Sequence, residues 1–123
     1  MVLAASAREG GFTPFRGEEL VGPPLLWPEA RSALHVARWR GVISEQLAER
    51  SLSILESGAV HERRHRRLGR EAWRIADDLG WSKTYDAEYL ALASLLDSGL
   101  ATFDRRLHRA AERLGLAADI SWL

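Results

Sequence analysis

Apolar and polar positions fall into short blocks along this chain, and their spacing changes at Pro28. Ahead of it, two brief apolar runs, residues 1–5 and 19–21, sit among three of the four prolines and several glycines, which exclude long helices and leave two candidate strands. From Pro28 the period becomes helical. Ala30, Ala33, Leu34, Val36 and Ala37 predict a helix with Pro28 in its first position and Gly41 just past its end. Ser44 as N-cap and Gly58 as stop bracket a second helix, with Leu47, Leu52, Ile54 and Leu55 on one broad face. Residues 59–65 read as a short strand, followed by a helix that ends near Gly80 and carries Leu68, Ala72, Trp73, Ile75, Ala76 and Leu79. A helix over about 84–97 places Tyr85, Tyr89, Leu92 and Leu96 on its core stripe. Residues 99–103 read as a buried strand, 105–114 as a helix closed by Gly115, and 118–123 as a final strand.

Short strands alternating with helices of this length predict right-handed βαβ units: an α/β, three-layer α/β/α domain with a parallel sheet of four or five strands. At 123 residues and 13.8 kDa the chain suits a single domain over 1–123, with 1–17 its irregular part. A composition 46% hydrophobic and 28% charged is that of a soluble globular protein. The absence of cysteine excludes disulfides, thiol chemistry and cysteine zinc sites. No apolar run approaches the roughly 20 residues of a membrane helix, and no basic segment precedes an apolar one at the start, so a cytoplasmic location is expected. Seventeen basic and 17 acidic residues cancel, leaving no global field to attract nucleic acid. Lys83 is the sole lysine, and an arginine-rich chain favours bidentate contacts to phosphate or carboxylate.

Three acids occupy unusual positions. Glu29 shares a helix face with Ala33, Val36 and Ala37; Asp86 stands at the shoulder of a core stripe in the first turn of its helix; Asp104 follows an apolar strand and precedes Arg105. Taken singly, the first two are explained by the helix dipole and the third by N-capping. Taken together, all three fall at helix N-termini, two of them where helices should begin at the carboxyl edge of the sheet, the edge along which open α/β folds bind ligands. Carboxylates gathered there would repel one another unless a cation neutralised them. Oxygen ligands without cysteine favour Mg²⁺ or Mn²⁺, which activate water and stabilise charge in phosphoryl displacement.

At these residues the sequence resembles the PIN-domain ribonucleases, specifically the VapC-type toxins of type II toxin-antitoxin systems. The strongest portion is Thr84-Tyr-Asp-Ala-Glu-Tyr-Leu-Ala-Leu-Ala93 followed by Leu100-Ala-Thr-Phe-Asp-Arg-Arg-Leu107, similar to the family's YDAxYLALA and TxDxRL segments. Upstream, the stretch from Glu19 through Trp27-Pro-Glu-Ala to Leu34 resembles the second strand and the glutamate-bearing helix. The resemblance implies a PIN-like fold. It also implies that Glu29, Asp86 and Asp104 are catalytic and hold Mg²⁺ or Mn²⁺, with Thr102, Arg105 and Arg106 in reach of RNA. As partners it implies an RNA substrate, a cognate antitoxin and a second copy in a homodimer. The sequence departs from the family at its start, where Ala4 stands in place of the aspartate that ends the first strand. The N-terminus is therefore shortened or degenerate, or Ala4 replaces a catalytic acid. Glu9, in a Gly-rich segment, is a poor substitute.

Other features divide between chemistry and surface. His61-Glu-Arg-Arg-His-Arg-Arg67, with Arg70 and Arg74, can neutralise RNA phosphates, form a solvated face or pair with an acidic partner. His61 and His65 lack a third soft ligand for a zinc site. Trp27, Trp39, Trp73, Trp81 and Trp122 read as core or interface anchors. Arg105 and Arg106 have a substrate phosphate, or a salt bridge to Glu112 or to the dimer partner, as alternative partners. Three function classes follow: a metal-dependent endoribonuclease toxin, a catalytically weak or inactive PIN-like module that binds RNA or antitoxin, and a plain structural domain.

Overall fold

The structure, a computed structural model, describes residues 2–3 and 19–117. Ala4, Glu9, Trp122 and the strand expected over 118–123 lie outside the described residues, as does most of the stretch 1–17. Along the chain run β1 (Val2–Leu3), β2 (Leu20–Gly22), α1 (Leu26–Trp39), α2 (Glu45–Glu56), β3 (Val60–Glu62), α3 (Leu68–Leu79), α4 (Tyr85–Leu95), β4 (Leu100–Ala101) and α5 (Arg105–Arg113). The strands pair in parallel in the order β3-β2-β1-β4.

The expectation of a PIN-like three-layer α/β/α domain with a parallel sheet of four or five strands is corrected. The described chain is mixed α/β but dominated by its five helices. Its only strand ladder three residues long joins β2 to β3, through Leu20, Val21 and Gly22 opposite Val60, His61 and Glu62. The reason lies in the strand sequences. In β3 only Val60 is buried and the next two residues are exposed, so there is little apolar surface to extend. β4 stops at Ala101 because the next hydroxyl, Thr102 Oγ1, accepts the backbone N–H of Asp104 at 3.1 Å and turns the chain out of the sheet. Short apolar runs read as strands were given more length than their flanking polar residues allow.

Local chemistry sets the helix ends. Ser44 caps α2 by accepting the Leu47 N–H at 3.0 Å, and Asp104 caps α5 by accepting that of Leu107 at 2.9 Å. Gly80 closes α3 at φ +71°, a left-handed conformation that glycine adopts without steric cost. Helix α1 begins two residues before the expected start, with Pro28 within its first turn, where a missing N–H leaves no intrahelical bond unmade. Its buried stripe is Leu26, Ala30 and Leu34, whereas Val36, on the face of Glu29, is 42% exposed.

The core centres on α4. Ala87, Tyr89, Leu90, Ala91, Leu92 and Ala93 are all buried, so this helix is apolar nearly all round, as expected of one enclosed by neighbours. Against it pack Ile75, Ala72 and Ala76 of α3, Leu26 and Ala30 of α1, and Leu100 of β4, in one continuous apolar cluster. The amphipathic expectation for α3 holds except at Trp73, which is 62% exposed. Among the described residues no helix is long and apolar enough to cross a membrane. Gly22, where β2 turns toward α1, is constrained by contact. A Cβ there would lie 2.5 Å from Leu26 Cδ2, and Leu26 is itself fully buried. Gly22→Ala is therefore expected to destabilise the fold by about 1–3 kcal/mol through overpacking, measured as a fall in the urea midpoint at unchanged m-value.

Candidate functional site

Glu29 enters the site from the first turn of α1, its N–H bonded to the Leu25 carbonyl at 3.2 Å. Its carboxylate is fixed from across the domain: Tyr89 of α4, buried to 1% exposure, donates its phenolic O–H to Glu29 Oε1 at 2.5 Å. A buried hydroxyl must find an acceptor, so the packing of α4 aims Tyr89 at Glu29 and ties together two helices distant in sequence. The first turn of α4 carries Asp86 and Glu88, and its N-cap residue, Thr84, makes no side-chain capping bond.

Glu88 is the acid that sequence reasoning missed. Burial pushes its carboxyl up, and the charge of Glu29 pushes it further, so α1 and α4 bring two carboxyl groups within electrostatic reach of each other. Because the folded-state pKa is raised, the stabilising contribution of Glu88 is complete at pH below its unfolded value and is lost as pH rises through its folded value. Glu88→Gln should therefore stabilise the fold in EDTA at pH 7–8, by less than about 1 kcal/mol because solvent screens a partly exposed group, and leave the stability level near pH 4. Scanning calorimetry at the two pH values checks the sign.

Asp86 faces α5. Its Oδ2 lies 3.5 Å from an Arg106 guanidinium nitrogen, with both side chains about half exposed. Arg106 in turn stacks on the Trp81 ring, its guanidinium carbon 4.1 Å from the ring centroid. Glu29, Trp81, Ser82, Lys83, Tyr85, Asp86 and Arg106 together line one cavity of about 350 Å³. The structure thus gathers Glu29, Asp86 and Arg106, three of the residues singled out in the sequence, and adds Lys83, Tyr85 and Trp81.

The other candidates lie apart from this lining. Asp104 uses its carboxylate to cap α5, Thr102 is buried and holds the Asp104 N–H, and Arg105 is exposed without an ion pair among the described residues. No group of three or more His, Asp or Glu side chains among the described residues is arranged to hold a metal ion. Glu29 and Asp86, both on the cavity lining, nevertheless offer the hard oxygen donors that suit Mg²⁺ or Mn²⁺.

Elsewhere, the basic run is partly neutralised within itself. Arg64 pairs with Glu62 at 3.0 Å, and Arg74 pairs with Glu71 and with Asp78. His65 Nδ1 accepts the Arg67 N–H at 3.0 Å, which fits a turn better than a metal ligand. Among the described residues it is His108, not Arg105 or Arg106, that lies beside Glu112, at 3.4 Å. A second cavity, of about 160 Å³, opens between α1 and α2 over Leu34, Ala48 and Leu52, with Arg31, His35, Arg38 and Glu49 at its rim. No family model matches the chain, and no curated protein matches it either.

Proposed function

We propose that this chain is a metal-dependent endoribonuclease of the VapC toxin type, acting in the cytoplasm and silenced by a cognate antitoxin. The observation that carries this reading is the convergence of Glu29 and Asp86, from the first turns of two helices, into one cavity with Lys83 and Arg106. Carboxylates that attract a divalent cation beside cations that attract phosphate are the two halves of a phosphodiesterase site. Glu29 and Asp86 would hold the ion, which supplies activation of water and neutralisation of the charge that builds on the phosphodiester.

The protein's own groups have distinct tasks. Tyr89 orients Glu29 and keeps one oxygen of its carboxylate engaged, which fixes the direction of the other. Asp86 must leave Arg106 to act as a donor. An ion pair this exposed is worth only about 0–1 kcal/mol, so the exchange costs little. Arg106, still stacked on Trp81, is then free to meet a phosphate oxygen, with Lys83 on the same cavity wall. The apolar groove between α1 and α2, rimmed by Arg31, His35 and Arg38, supports docking of an antitoxin, and Trp39, 81% exposed, supports pairing of two copies.

A second reading, a module that binds RNA or antitoxin without turnover, is favoured by the engagement of Asp86 with Arg106 and of Asp104 as a cap. Incubating the full chain with a labelled RNA in Mn²⁺, Mg²⁺ or EDTA separates the two. Cleavage in either metal and none in EDTA is the expected result. RNA binding without cleavage in any condition would select the second reading.

A further inference from the structure

We propose that Tyr85 is a base-stacking platform that selects single-stranded RNA, with Lys83 and Arg106 holding the phosphate of the stacked nucleotide. The inference rests on the nuclease reading and names the part of the substrate that the site grips. The sequence pattern placed Tyr85 on the core stripe of α4, yet its side chain turns away from the core: it is 59% exposed, whereas Tyr89, one turn later, is buried. An aromatic ring more than half exposed at the first position of a largely buried helix contributes little to the core. Tyr85 instead forms part of the wall of the 350 Å³ cavity that also holds Glu29 and Asp86. That volume lies in the range of small-ligand sites.

The polar lining completes the nucleotide chemistry. Lys83 makes no ion pair among the described residues, and Arg106 lies over the Trp81 ring with one guanidinium nitrogen 3.5 Å from Asp86. Ser82 adds a hydroxyl on the same wall. A cation pair, a hydroxyl and an exposed aromatic ring in one concavity match an anionic phosphate bearing a planar base. Arg106 already lies over Trp81, which is only partly exposed, so Tyr85 is the more open of the two rings. Stacking of this kind needs an unpaired base, because bases within a duplex already have both faces occupied. The cavity therefore favours single strands and tolerates any base.

The test compares Tyr85→Ala and Tyr85→Phe with the wild-type chain. Binding of a fluorescein-labelled 12-nucleotide single-stranded RNA of mixed sequence is followed by anisotropy in EDTA, where no turnover occurs, and the KM for the same strand is measured in Mn²⁺. Tyr85→Ala is expected to weaken binding and raise KM by about tenfold, Tyr85→Phe to match wild type, and the same strand annealed to its complement to bind equally to all three. Since Tyr85 is exposed, all three proteins should share one Tm. Wild-type affinity and KM in Tyr85→Ala, with cleavage intact, would overturn the stacking role and leave the nuclease reading standing. A wild-type chain that neither binds nor cleaves the strand would overturn both.

Discussion

Asp86→Asn is expected to lower RNA cleavage in Mn²⁺ by on the order of 10²–10³-fold, the loss that follows removal of one charge-stabilising group from an active site. The substitution keeps the shape of the side chain and one carbonyl oxygen but removes the charge that would hold a cation and that now attracts Arg106 at 3.5 Å. The fold should barely respond. The lost pair is half exposed, and a first-turn acid contributes about 0.3–1 kcal/mol through the helix dipole. Unchanged cleavage with a slightly lower Tm would mean that Asp86 serves α4 alone. Initial rates on a labelled RNA, with melting curves in EDTA, provide both readouts.

The second large effect concerns stability. Leu92→Ala is expected to cost about 2–5 kcal/mol, because Leu92 is fully buried in α4 and its neighbours on every side are themselves packed. For a chain of this size such a loss is a large share of the net stability. Urea denaturation should show a lower midpoint with the slope kept. Trp73→Ala, at a larger side chain that is 62% exposed, should by contrast stay within about 0.5 kcal/mol. The contrast matters for function, since α4 carries Asp86, Glu88 and Tyr89 and any loosening of its packing moves the site.

Helix boundaries were the most legible part of the fold. Ser44, Gly58, Gly80, Asp104 and Gly115 act where the sequence placed them, because capping bonds and positive φ are local properties that tertiary packing seldom overrides. Strand lengths were not legible. Whether a run such as 59–65 extends a sheet depends on which neighbour covers it, and here exposed His61 and Glu62 end β3 after three residues. Periodicity assigned Tyr85 to a buried stripe that it does not join, since the spacing of apolar residues says nothing of what lies opposite.

The candidate site was legible in two of its acids. Glu29 and Asp86 line one cavity, while Asp104, the third acid expected with them, answers the local need of α5 for a cap. Arg106 was named as a substrate contact, but its Trp81 and Asp86 partners come from another helix and the loop before it, and no local pattern announces them. Glu88 was hidden by its ordinary setting. A glutamate in a first turn is unremarkable until the approach of Glu29 gives it a neighbour of like charge.

The claim at the centre is that Glu29 and Asp86 jointly hold a hard divalent cation. Electron paramagnetic resonance of free Mn²⁺ measures this directly, with wild-type protein titrated alongside Glu29→Gln and Asp86→Asn. The expected result is saturable uptake by the wild type, displaced by excess Mg²⁺, and loss of that uptake in both variants while their folds stay intact. Equal uptake by all three proteins, or none by the wild type, would contradict it.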